Sequence, residues 1–301
     1  MSITEKIRKL KTERRAVILA HNYQIPEVQD IADFVGDSLG LSIQASRTDA
    51  AVIVFCGVHF MAETAKILSP QKTVLLPDEH AGCPMANMID GRQLRALKEK
   101  HPGAKVLCYV NTSAEVKAEC DLCCTSANAV TMVQKALKDE REIIFVPDQY
   151  LADYVSGQTG RKFIIWNGFC PTHARILPQD IARAKALHSA AEVIAHPECT
   201  PEVRRLADRV ASTEGMCRYV KETKAREIIV GTEIGIIHRL KKENPEKAFY
   251  PASERAVCPN MKRITLEKVL WALEDMRPEI DVPSEIASKA RRCIERMLEH
   301  N

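Results

Sequence analysis

The chain writes one stretch three times. Ala16 to Ser38, AVILAHNYQIPEVQDIADFVGDS, recurs without a gap as Ala104 to Ser126, AKVLCYVNTSAEVKAECDLCCTS, and as Ala191 to Thr213, AEVIAHPECTPEVRRLADRVAST. Such a period constrains the fold strongly, because each copy must be a unit that packs against its neighbours. In every copy a short apolar run ends in a polar residue, His21, Tyr109 or His196, and two positions later stands Tyr23, Asn111 or Glu198. A Glu-Val pair then opens a helical pattern, and the copy closes on a hydroxyl, Ser38, Ser126 or Thr213. This is the pattern of a buried strand feeding a helix. It places polar groups at the strand's carboxyl end, where open α/β sheets bind ligands.

A second marker keeps the same period. Cys83-Pro84, Cys170-Pro171 and Cys258-Pro259 lie 87 and 88 residues apart, and the repeats start 88 and 87 residues apart. Copies related by a pseudo-threefold axis would bring these three cysteines together near that axis. Taken singly, each reads as a core thiol, since free Cys is among the most buried residue types. Their equivalent placement favours a shared metal centre instead. Three thiolates with an open fourth position suit an iron–sulfur cubane with one free iron, or a three-cysteine zinc site completed by His173 or water. Spacing does not choose between them.

Strands alternating with helices predict parallel βαβ units, so the expected class is α/β with three homologous three-layer αβα domains about a pseudo-threefold axis. The expected boundaries are 1–86, 87–174 and 175–264. Residues 265–301 are expected to be C-terminal helices that close onto the first domain. Within each copy the helix is expected to run to its end, near Gly36 in the first, which leaves Asp37-Ser38 in a loop. A formal charge of +3 from 43 basic and 40 acidic residues gives no reason to expect nucleic acid or a membrane surface as partner. The N-terminus, MSITEKIRKLKTERR, has no apolar segment of signal-peptide type, and no apolar run approaches the roughly 20 residues of a membrane span, so a cytoplasmic location is expected. Eleven cysteines, an odd number without secretory context, favour reduced thiols and metal ligation over disulfides.

The other motifs carry less. Cys120, Cys123 and Cys124 fall opposite Ala32, Val35 and Gly36, and opposite Ala207, Val210 and Ala211, so they read as small packing residues at a helix end. Cys56, Cys108, Cys199, Cys217 and Cys293 have no triplicate partner and default to ordinary thiols. His59, His80, His188 and His238 are equally unsupported. Gly231-Thr232-Glu233-Ile234-Gly235 could approach a ligand or could simply turn a strand into a helix. No G-x-G-x-x-G follows the first strand and no G-x-x-x-x-G-K-[ST] is present, so dinucleotide and P-loop sites are unsupported.

Taken together, His21-Asn22-Tyr23, Gly36-Asp37-Ser38, Gly82-Cys83-Pro84-Met85, Tyr109-Val110-Asn111, Thr125-Ser126, Cys170-Pro171-Thr172-His173, His196-Pro197-Glu198-Cys199, Ser212-Thr213, Gly231-Thr232-Glu233 and Cys258-Pro259-Asn260-Met261 resemble the bacterial and archaeal quinolinate synthases over essentially the whole chain. The resemblance implies a 4Fe-4S cluster held by Cys83, Cys170 and Cys258 with one open iron. It implies condensation of iminosuccinate (iminoaspartate) with dihydroxyacetone phosphate to quinolinate, phosphate and water, a step of NAD biosynthesis fed by an L-aspartate oxidase or dehydrogenase. It places His21, Ser38, Tyr109, Val110, Asn111, Ser126, His196, Pro197, Glu198 and Thr213 at the substrate. Glu198, with Tyr23, is expected to move protons during isomerisation and dehydration, His21 and His196 to orient the triose-derived part, and Tyr109 to take part in catalysis. Some relatives carry a C-terminal C-x-x-C-x-x-C set. Here only Cys258 stands in that region, so switching through that set is not expected. Two rival readings are a zinc-dependent lyase on the same frame and a non-catalytic small-anion binder with structural cysteines.

Overall fold

A computed structural model describes residues 1–299. The first unit runs α1 (Ile3–Glu13), β1 (Ala16–His21), α2 (Pro26–Ile31), β2 (Phe34–Gly36), α3 (Ser38–Arg47), β3 (Val52–Cys56), α4 (His59–Leu68) and β4 (Thr73–Leu75). The second runs α5 (Gly91–Lys100), β5 (Lys105–Tyr109), α6 (Ala114–Ala118), β6 (Leu122–Cys124), α7 (Ala129–Thr131), β7 (Ile143–Val146), α8 (Gln149–Thr159), β8 (Ile164–Ile165) and α9 (Pro171–Ala174). The third runs α10 (Pro178–Leu187), β9 (Glu192–Ala195), α11 (Pro201–Arg205), β10 (Arg209–Val210), α12 (Thr213–Glu222), β11 (Glu227–Gly231), α13 (Ile236–Glu243) and β12 (Ala248–Pro251). Two further helices follow, α14 (Leu266–Asp275) and α15 (Ser284–Glu299).

Each unit builds one four-stranded parallel sheet of the same order, β2-β1-β3-β4, β6-β5-β7-β8 and β10-β9-β11-β12. Helices flank the sheets, giving three αβα domains of α/β class. The central strands are buried along their length: all five residues of β3 and all four of β7 are inaccessible, as their unbroken apolar sequences require for sheets covered on both faces. Helix α14 packs against α1 and β3, whereas α15 lies on α6 and β6 of the second unit and on α4 of the first.

The sequence expectation fails in one repeated place. The helix following the first strand is short, and the chain then forms an edge strand, β2, β6 or β10, where a continuing helix was expected. These strands have three residues at most, too few for a periodicity to declare itself. Cys123 and Cys124 therefore lie in β6, not at a helix end. Ser38 and Thr213 in turn become the first residues of α3 and α12, capped by the side chains of Asp37 and Ser212, which accept from the amides of Gly40 and Gly215.

The order 2-1-3-4 places a topological switch point between the first and third strands of each unit, the position where open sheets hold ligands. The carboxyl ends of those strands lead to His21 and Val58, to Tyr109 and Asp148, and to His196 and Glu233.

Candidate active site

The three switch points face one cavity of about 70 Å³. Cys83, Cys170 and Cys258 all line it, so the three Cys-Pro loops deliver their thiols to a single space. Burial pushes all three thiols up, Cys83 to about 12; the thiols of Cys258 and Cys83 add to the rise at Cys83 and Cys170 respectively. Amides just downstream oppose that rise, those of Met85 and Ala86 at Cys83, His173 at Cys170, and Asn260 and Met261 at Cys258. Proline directly after each cysteine costs no hydrogen bond there, because the first amide of a helical turn has no partner within the turn. The Cys258 loop is further fixed by Glu233, which accepts from the Cys258 amide at 3.1 Å and from Lys262 Nζ at 2.9 Å.

Glu198 is buried at the centre of a polar chain. Tyr109 donates to its Oε1, and His173 Nδ1 lies 2.9 Å from its Oε2 and 3.1 Å from the Cys170 sulfur. Burial alone would raise the Glu198 carboxyl, but His173 beside it and the hydrogen bonds from His173 and Tyr109 outweigh burial and hold it well below the usual carboxylate range. On its other side His173 Nε2 is 2.8 Å from Thr232 Oγ1, which is 2.6 Å from Tyr23 Oη. A continuous path thus joins Tyr23, Thr232, His173, Glu198 and Tyr109. Burial first, and then the Glu198 charge, push both tyrosines well above their ordinary value, so both are neutral phenols.

His21 and His196 are arranged alike. The Nδ1 of each accepts the amide two residues ahead, Tyr23 at 3.2 Å and Glu198 at 3.3 Å, which leaves Nε2 as the protonated nitrogen. Burial lowers both to about 3, so both are neutral Nε2–H donors, and His196 Nε2 meets Ser126 Oγ at 3.2 Å. Thr213 Oγ1 accepts from Asn22 Nδ2 at 3.0 Å, and Arg239 holds the Asn22 oxygen at 2.9 Å. Ser38 and Thr213 mark the starts of ten-residue helices, whose free amides favour anions. The buried Oδ1 of Asn111 has no partner among the described residues. None of the lining residues is Lys or Arg, so an anion here would be met by neutral donors and helix ends.

Residues 5–299 match the family model of the NadA quinolinate synthetase A protein. The chain is 58% identical over 296 residues to the quinolinate synthase of Dehalococcoides mccartyi (strain CBDB1), covering 98% of this chain and 97% of that one. It is 56% identical to quinolinate synthase 1 of Methanosarcina acetivorans and 54% identical to the quinolinate synthase of Geotalea uraniireducens, with the same coverage. The chain belongs to the quinolinate synthetase A family.

Of the residues singled out from the sequence, His21, Tyr23, Ser38, Tyr109, Asn111, Ser126, His196, Glu198, Thr213 and the three cysteines line the cavity of this family member. Val110 and Pro197 do not, although both are buried next to residues that do. For Thr232 and Glu233 the sequence leaves ligand approach and a simple turn both open, and it gives His173 only a conditional role. Sequence reasoning passed over Asp148, whose carboxyl burial and the Glu198 charge push well above its usual range. These groups follow the third strand of a unit or a Cys-Pro pair, and the available signal was their proximity to those markers.

Proposed function

We propose that the protein is a quinolinate synthase that condenses iminosuccinate with dihydroxyacetone phosphate, releasing phosphate and water, in NAD biosynthesis. The observation that carries this reading is the meeting of three cysteines from three repeated loops with one buried carboxylate in a single cavity. The donor set fits a 4Fe-4S cluster on Cys83, Cys170 and Cys258. Among the described residues, the three sulfurs do not form a group whose ligand atoms all lie within 4.8 Å. A single zinc ion with Zn–S bonds of about 2.3 Å would hold them about 3.8 Å apart. Wider spacing suits a cluster with one thiolate per iron. When bound, the cluster would supply Lewis acidity at its open iron.

The chain's own residues then grip and protonate. His21 and His196, as neutral Nε2–H donors, and the hydroxyls of Ser38, Ser126 and Thr213 orient carboxylate oxygens. The unpartnered Asn111 carbonyl accepts from a substrate N–H or O–H. Glu198 takes a proton through Tyr109, whose own proton moves to Oε1 as its oxygen receives another. Tyr23 Oη gives or takes one at the other end of the path, with Thr232 and His173 restoring it. General acid–base help of this kind is worth roughly 10²–10⁴ in rate. Glu198→Gln in anaerobically prepared enzyme should therefore lose about that factor in quinolinate formation while its visible absorption stays unchanged; near-normal turnover would remove Glu198 from the proton path.

One observation favours a second reading. Cys170, His173 and Glu198 offer ligand atoms all within 4.8 Å of one another, enough for one mononuclear ion, as a zinc lyase would need. Metal analysis decides: iron with acid-labile sulfide supports the first reading, and zinc in a colourless protein the second.

A further inference from the structure

Four cysteines outside the cavity gather at one place. Cys108 from β5, Cys120 from the turn before β6, Cys123 from β6 and Cys293 from α15 form a ring in which each thiol adjoins two of the others. The Cys123 and Cys293 sulfurs are 3.0 Å apart, about 1 Å beyond a disulfide bond length of about 2.05 Å. They are 170 residues apart in sequence and join the last helix to the second unit's sheet. No three of the four sulfurs lie within 4.8 Å of one another, so a preformed metal site is not indicated.

A cation sits at the same place. Lys117 is fully buried and donates to the Thr112 carbonyl, and no carboxylate reaches it among the described residues. A buried ammonium needs a counter-charge. The Cys108 thiol supplies one: burial would raise it, but hydrogen bonds from Cys120 and Cys123 and the Lys117 charge outweigh burial and favour the thiolate, with Thr112 Oγ1 at 2.9 Å. Thiol–disulfide exchange proceeds through thiolates, so the ring holds its own base.

We propose that Cys123 and Cys293 are a dithiol site that a low-molecular-weight disulfide oxidises to an intramolecular bond, clasping α15 to β6. The balance is simple. As the terminal helix lifts, the Cys293 thiolate attacks the oxidant's S–S bond and one thiol leaves with a proton. When α15 settles back, Cys123 passes its proton to the neighbouring Cys108 thiolate and attacks the mixed disulfide at the Cys293 sulfur; the second small thiolate leaves and takes that proton back from Cys108. Two protein thiols and one disulfide become one protein disulfide and two small thiols. Because α15 also packs on α4, whose Phe60 and Met61 line the cavity, the clasp ties the first unit to the second.

The test uses the full chain, purified anaerobically and incubated with oxidised glutathione, then quenched in acid and alkylated under denaturing conditions. A peptide linking Cys123 to Cys293 is expected, with no retained glutathione, and amide exchange across α15 slowed on the order of tenfold or more. The Cys293→Ser and Cys123→Ser variants should each lose the link and the slowing. A wild-type chain that yields only Cys120-glutathione adducts, or a Cys108–Cys123 link, would overturn the assignment.

Discussion

The neutral histidines have a measurable consequence in acid. His196 is held to about 3 in the folded chain against about 6.5 unfolded. Between these values the unfolded chain binds the proton and the folded chain does not. The stability conferred by keeping the ring neutral is therefore complete above about pH 6.5 and is lost as pH falls toward 3. At pH 5 the loss is a factor of about 30 in the unfolding equilibrium, or about 2 kcal/mol for this one residue. The carboxyls of Asp37, Asp148 and Glu233 are raised by burial and act in the opposite sense, so only the difference between wild type and a variant isolates the ring. His196→Gln removes the titration and gives up the bond from the Glu198 amide, about 1 kcal/mol at every pH. Urea unfolding at matched metal content should show the variant weaker by about 1 kcal/mol at pH 7. At pH 5 it should be stronger than wild type by about that much. Two curves that fall in parallel between pH 7 and pH 5 would refute a neutral His196.

Other outcomes follow from the thiols and the loop geometry. Cys258→Ser should leave a folded protein that retains less than half the wild-type iron after anaerobic reconstitution, while Cys217→Ala, buried on α12 away from the cavity, should retain it all. Gly168 bridges to Asp148 two residues before Cys170, and a Cβ there would fall inside contact distance of the Pro147 carbonyl oxygen. Gly168→Ala should cost about 1–3 kcal/mol by overpacking and lower both the melting temperature and the metal content, since the strain falls on the loop that carries Cys170.

Much of this architecture was legible because a gap-free repeat aligns positions that no single copy could identify. His21, Tyr109 and His196 were recognisable as one structural position only through their copies, and so were Cys83, Cys170 and Cys258. The edge strands were not legible. Phe34-Val35-Gly36 has no alternation to betray it, and it is a strand because it pairs with Leu19 to His21, a tertiary fact. The thiol ring was hidden for the same reason. Cys293 follows Cys108 by 185 residues, and only the docking of α15 brings them together.

The residues that follow the third strand of each sheet show where repeat arithmetic stops. Strand pairing sets Cys56 beside Ala20, Val146 beside Cys108 and Gly231 beside Ala195, so Val58, Asp148 and Glu233 are a further threefold position at the third strand of each sheet. They lie 90 and 85 residues apart rather than 88 and 87, because the segments between the second and third strands differ in length, and alignment without gaps loses them. The same applies to Gly57, Pro147 and Thr232, of which only Thr232 carries a hydroxyl. One ancestral strand end has thus become an apolar wall at Val58, a buried acid at Asp148 and a loop brace at Glu233. A symmetric frame can hold three like thiols, but ordered proton movement needs unlike groups around them. That difference in requirement explains why the cysteines and their prolines are uniform across the copies while the strand-end residues are not.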